Sequence, residues 1–145
     1  MSTMGLQASG RAAIRRTLST RAGEGGDALA VAEATVNVCR EVAVRLAVVL
    51  GERGVDVLFR RSVHLASAHF SFLAIRGEDG AEVALARLGE VLSRQERTVA
   101  AEASYTLLVT FTELLATLIG ESLTETLLSS VWVPVSPSTD QEKAP

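Results

Sequence analysis

Apolar residues recur along this chain at three- and four-residue spacing, the period of a helix packed on one side. From Asp27, a good helix N-cap, the pattern runs through Val31, Ala34, Val38, Val42 and Leu46 to about Leu50. Its polar stripe is Glu33, Asn37, Arg40, Glu41 and Arg45, with Glu41 and Arg45 at ion-pair spacing. Gly51 closes that helix as a left-handed C-terminal residue would. The next helix begins near Arg53 and is expected to include His69–Ile75 as its end.

Arg76-Gly77-Glu78-Asp79-Gly80 is the strongest loop signal. Beyond it, residues 81–92 read as a helix. Ser93-x-x-Glu96 matches a capping box and predicts the start of a helix running to about Ile119. Gly120 ends that helix. Ser122-x-x-Glu125, a second capping-box match, opens a last helix to about Trp132. Before all of these, residues 10–20 form a short helix, and Gly23–Gly26 breaks the chain.

The sequence also resembles itself. Shifted by 69 positions, Ala32-Glu33-Ala34-Thr35 falls on Ala101-Glu102-Ala103-Ser104, and Leu46-Ala47 on Leu115-Ala116. Gly51-Glu52 then falls on Gly120-Glu121 and Leu58 on Leu127. These are eight identities over residues 32–63, against roughly three expected by chance. A fixed-period match implies one supersecondary unit used twice. The expected fold is therefore all-α: a bundle of about six helices built from two helical-hairpin units, about 27–75 and 94–132, around a pseudo-twofold. Residues 10–133 form one domain between disordered tails at 1–9 and 134–145.

Composition narrows the function classes. Hydrophobic residues make up 48% of the 145 residues and charged ones 21%, enough apolar surface for a proper core. A net charge of −3 offers no broad attraction to phosphate backbones, so no nucleic acid is expected. No stretch reaches the ~18–20 uninterrupted apolar residues of a membrane span. One cysteine, Cys39, excludes an internal disulfide framework and fits a reducing cytoplasm. Every basic residue but Lys143 is arginine, a usage associated with GC-rich bacterial genomes. Arg11, Arg15, Arg16 and Arg21, with no acid before Glu24, also suit a transit peptide; a short Arg-capped helix accounts for the same residues.

No catalytic, cofactor or metal constellation stands out. His64 and His69, five apart, are off a common helical face. Cys39 aligns with Leu108, which makes it a small buried apolar residue. Gly51-Glu52 and Gly120-Glu121 invite acid–base chemistry, but a turn glycine followed by an acid at the next helix start explains them. Arg40, Arg45, Arg53, Arg60 and Arg61 interleave with Glu41, Glu52 and Asp56 as a salt-bridged surface.

The helix at 96–119 is apolar beyond one stripe, so it is either central or buried against another chain. On that ground Val109, Phe111, Leu118 and Trp132 are the candidate interaction residues, with Trp132 also suited to plugging the end of the core. Thr106, Thr110 and Thr117 are possible ligand contacts. The expected function is a non-enzymatic helical interaction or regulatory module, a homo-oligomer with a dimer favoured, or one acting on another protein partner. The alternative is a bundle that binds or senses an apolar or amphipathic small molecule.

Overall fold

The computed structural model describes residues 8–23, 25–74 and 81–132. They form five α-helices and no strand: α1 (Ala8–Ala22), α2 (Ala28–Ala66), α3 (Ala81–Ser93), α4 (Arg97–Ile119) and α5 (Glu121–Leu128), with a 3-10 turn at Ser71–Leu73. Asp27 caps α2 as its sequence position implies, its Oδ1 accepting from the Ala30 N–H at 3.1 Å.

Gly51 divides α2 into arms 28–50 and 52–66. Its φ of 78° and ψ of 161° lie in the extended positive-φ region open essentially to glycine, not in the left-handed helical region expected of a cap. Gly120, between α4 and α5, takes φ 93° and ψ 157°. The reason is economy of chain. Gly120 N–H donates to Ala116 O at 2.8 Å as the last bond of α4, while its own carbonyl accepts from Thr124 N–H at 3.1 Å as the first of α5. One residue ends one helix and starts the next, so it must turn the chain alone.

The first arm of α2 lies beside α4 in the same direction. Arg97 Nε, at the start of α4, donates to Gly26 O just before α2, and Thr35 meets Ser104 further along. Beyond Gly51 the chain doubles back, so that Val55 and Phe59 line the same cavity as Cys39 and Val42. α3 runs antiparallel to the first arm: Arg40 pairs with Glu82 at 3.0 Å, and Gly89 faces Val36.

α1 covers the other flank. Its Ile14, Thr17 and Leu18 are buried, while Arg15 pairs with Glu102 and Arg11 with Glu113, both on α4. Arg21 takes Glu41 at 2.6 Å, so Glu41 spends its hydrogen bonds on α1 rather than on Arg45 one turn away. Three of the four N-terminal arginines therefore clamp α1 to the bundle. Buried residues of every α-helix join one core in which α4, touching all four other α-helices, is central.

Several boundaries differ from the sequence pattern. Ser93 ends α3 instead of capping α4; its hydroxyl donates to Glu90 O, and Glu96 is the residue before α4 with no side-chain cap bond. Ser122 lies inside the first turn of α5, which starts one residue after Gly120. The second arm of α2 stops at Ala66, and the chain turns through 67–69 so that Leu73 can be fully buried, with Phe70 and Phe72 in ring contact at 5.9 Å. α1 begins at Ala8, inside the expected tail. The remainder of both tails and the loop at Arg76–Gly80 lie outside the described residues.

Residues 69 positions apart share burial along the long helices. Val31 and Ala100, Ala34 and Ala103, Thr35 and Ser104, Val38 and Leu107, Cys39 and Leu108, Val42 and Phe111, and Leu46 and Leu115 are all buried. Past the glycines, so are Val55 and Thr124, and Phe59 and Leu128.

Candidate functional site: an outward face of the first long helix

The candidate interaction residues do not form one surface. Phe111 is 5% exposed and lines the core cavity. Val109 is half-buried against the core, as is Trp132, just past the end of α5. Leu118, by contrast, is 64% exposed near Gly120. The apolar excess of α4 is thus absorbed mainly inside the bundle, by its central position. α4 is also the one described helix long and apolar enough to cross a membrane, and half of that stretch is buried within the domain.

Thr106 and Thr110 are half-buried, and Thr117 is exposed with its hydroxyl donating to Glu113 O at 3.0 Å. That back-bond is an ordinary use of threonine on a helix. None of the three lines the core cavity or the groove described below.

The core cavity holds about 30 Å³ among Cys39, Val42, Val55, Phe59, Leu85 and Phe111. That is room for a water-sized group, an order of magnitude below a drug-sized ligand site. Burial pushes the Cys39 thiol up to about 12, because no cation nearby offsets the cost of desolvating a thiolate. Such a thiol packs as a small hydrophobe and is chemically quiet at neutral pH.

Among the described residues, no three His, Cys, Asp or Glu side chains gather to hold a metal ion. His64 and His69 are exposed, and so are Glu52 and Glu121, each at the start of the helical segment after its glycine. Arg60 lies 3.3 Å from Asp56 and Arg40 3.0 Å from Glu82, so the arginines of α2 belong in part to surface ion pairs.

The unexpected feature is on α2. Val44 is 72% and Val48 86% exposed, one turn apart on one face of the first arm. Leu29 is exposed further back along the same face, between Val44 and the helix start lie Glu33, Asn37 and Arg40, and all six positions fall within roughly a 100° arc. Beside it, between α2 and α3, runs a groove of about 370 Å³ floored by Ala32, Val36, Leu85, Ala86 and Gly89. A signal for this face was present in the sequence. The polar stripe of α2 continues from Arg40 into Val44 and Val48, where a solvated helix would keep polar residues.

The opposite flank of the bundle shows a filled counterpart. Arg15 of α1 places its guanidinium 3.9 Å from the Tyr105 ring centre while pairing with Glu102 at 2.7 Å. The pairing with Glu102 holds the Arg15 guanidinium above its ordinary value. Glu102 and Tyr105 stand 69 positions after Glu33 and Val36.

Compared with known proteins, the chain matches no family model, no curated protein and no solved structure.

Proposed function

We propose that this chain is a non-enzymatic interaction or regulatory module that associates with a second copy of itself. The single observation that carries the reading is the exposed apolar face of α2, Val44 and Val48 above all, which no described residue covers. Exposed apolar side chains on adjacent turns of one helix are the kind of surface a partner covers. Twofold dimers are the commonest way to cover one, and a standard interface buries about 800 Å² on each partner. A single, buried thiol suits a reducing compartment such as a bacterial cytoplasm.

The same proposal includes an internally duplicated bundle. Counting α2 as two segments gives six, arranged as two three-helix halves about a pseudo-twofold. Support comes from the matched φ and ψ of Gly51 and Gly120, and from the shared burial of residues 69 apart. The small-molecule reading draws less support, since the three threonines line neither cavity and the one in the core is small.

Light scattering over a concentration series tests the function. The expected result is a mass that rises from one chain toward two across the micromolar range. A monomer persisting at high micromolar concentration would sink self-association, and a retained ligand mass in native mass spectrometry would favour the small-molecule reading.

A further inference from the structure

We infer that the outward face of the second arm of α2 docks an acidic helical segment of another protein. This face is separate from the one on the first arm and does not depend on self-association. Arg53, Val57, Arg60, Arg61 and His64 fall within roughly a 100° arc of the second arm. Arg53, Arg61 and His64 are exposed, as is Val57, by 60%. Glu52 and Asp56 lie outside the arc, and Asp56 pairs with Arg60 at its edge, at 3.3 Å. Arg53 and Arg61 make no ion pair or side-chain hydrogen bond among the described residues. Two guanidiniums thus flank an exposed valine, one helical turn away on either side.

The fold itself does not require these charges. Residues 69 positions on, in and just after α5, share the burial of this arm: Val55 and Thr124 are buried, as are Phe59 and Leu128, while Val57 and Thr126 are exposed. The acids are kept, Glu121 for Glu52 and Glu125 for Asp56. The arginines are not: exposed Ser122, Ser129 and Ser130 stand for Arg53, Arg60 and Arg61. The Thr126 hydroxyl, in place of Val57, donates to Ser122 O at 3.0 Å, so that face is satisfied by its own helix. Arginines that an equivalent segment does without, with no acid inside their arc, call for an anionic partner.

Shape narrows the class. None of the five residues lines the core cavity or the groove between α2 and α3, and together they form an open row about 16 Å long on a convex helix. Such a row suits an extended partner rather than a small anion. An interfacial helix sinks its apolar side into lipid, but here that side, Val55, Leu58, Phe59 and Val63, is buried in the core. A net charge of −3 opposes nucleic acid. A helix with two carboxylates eight positions apart and an apolar residue midway matches Arg53, Val57 and Arg61, each guanidinium taking one carboxylate.

Fluorescence anisotropy of the full chain titrated onto a labelled alanine-based helical peptide, with Glu at that spacing and Leu midway, tests this. Binding is expected at low ionic strength and to weaken as added salt screens the charges. Arg53→Ser with Arg61→Ser, the residues carried at positions 122 and 130, is expected to lower the affinity about tenfold with circular dichroism unchanged. Arg16→Ser with Arg45→Ser removes the same charge at exposed positions elsewhere, and is expected to stay within about twofold of wild type. Equal losses in the two variants would reduce the effect to net charge and overturn the proposal, as would no binding to the peptide. Co-sedimentation with phosphatidylglycerol vesicles that is abolished in the Arg53/Arg61 variant, without peptide binding, overturns it in favour of a membrane surface.

Discussion

Thr35 Oγ1 lies 2.8 Å from Ser104 Oγ, joining the two long helices through hydroxyls that are 69 positions apart and fully buried. Thr35 Oγ1 is also 2.8 Å from the Val31 carbonyl. A carbonyl only accepts, so the threonine proton goes there and Ser104 supplies the proton between the two hydroxyls. Each hydroxyl is thereby satisfied inside an apolar core.

Removing one partner strands the other. Thr35→Val is expected to cost about 1–3 kcal/mol, since the buried Ser104 hydroxyl loses its partner. Adding Ser104→Ala should recover much of that loss, because two apolar groups no longer need a bond. Urea midpoints of the two singles and the double close the cycle, and strictly additive losses would show that the hydroxyls are not coupled.

Gly51→Ala and Gly120→Ala are expected to destabilise by about 1–3 kcal/mol each through backbone strain alone. A Cβ at either position would meet nothing within 4 Å, so no clash contributes. Alanine and larger residues should therefore cost nearly the same. A cost that climbs steeply with side-chain size in thermal unfolding would mean that space, not φ, is limiting.

The Arg21–Glu41 pair makes stability depend on acid. Its hydrogen bond from Arg21 holds the Glu41 carboxyl below its usual range, so the folded state binds the proton less readily than the unfolded one. The contribution is present above the ordinary carboxylate value and fades as pH falls through the lowered one. Arg21→Gln should thus lower the urea midpoint at neutral pH and match wild type in acid. An equal gap at both would assign the loss to packing of the Arg21 stem.

Cys39 should resist thiol reagents at pH 8 in the folded protein and react freely in urea, as a thiol pushed up to about 12 by burial must. Its linkage has the opposite sign to that of Glu41. The folded state holds the proton more tightly, so stability is lost as pH rises from the ordinary thiol value of 9.0 toward about 12. Cys39→Ala should flatten that alkaline decline relative to wild type. Labelling at the rate of a free thiol would place the sulfur at the surface.

Legibility in the sequence followed the kind of force involved. Asp27 and the two turn glycines were readable because a cap and a positive φ restrict residue type locally. The burial of Cys39 was readable from Leu108 at the matched position. The capping-box matches at Ser93 and Ser122 misplaced helix starts, since the pattern is satisfied by any Ser and Glu three apart. Here the preceding helix claimed Ser93 and Gly120 claimed the start of α5. The 3-10 turn at Ser71–Leu73 answers to where Leu73 finds the core, which no local pattern records. Phe111 and Val44 show the same limit in the candidate site. Both are apolar on long helices, and only tertiary packing buries the one and leaves the other in water.

The cavity beside Cys39 has a consequence in volume rather than in bonds. Space left unfilled on folding is given up when the chain unfolds, so compression works against the native state in proportion to such voids. This one is bounded by both arms of α2 together with α3 and α4. Hydrostatic pressure therefore bears on the seam where α2 meets α3 and α4, and Cys39→Leu, the residue carried at position 108, is the change that would make the domain less compressible.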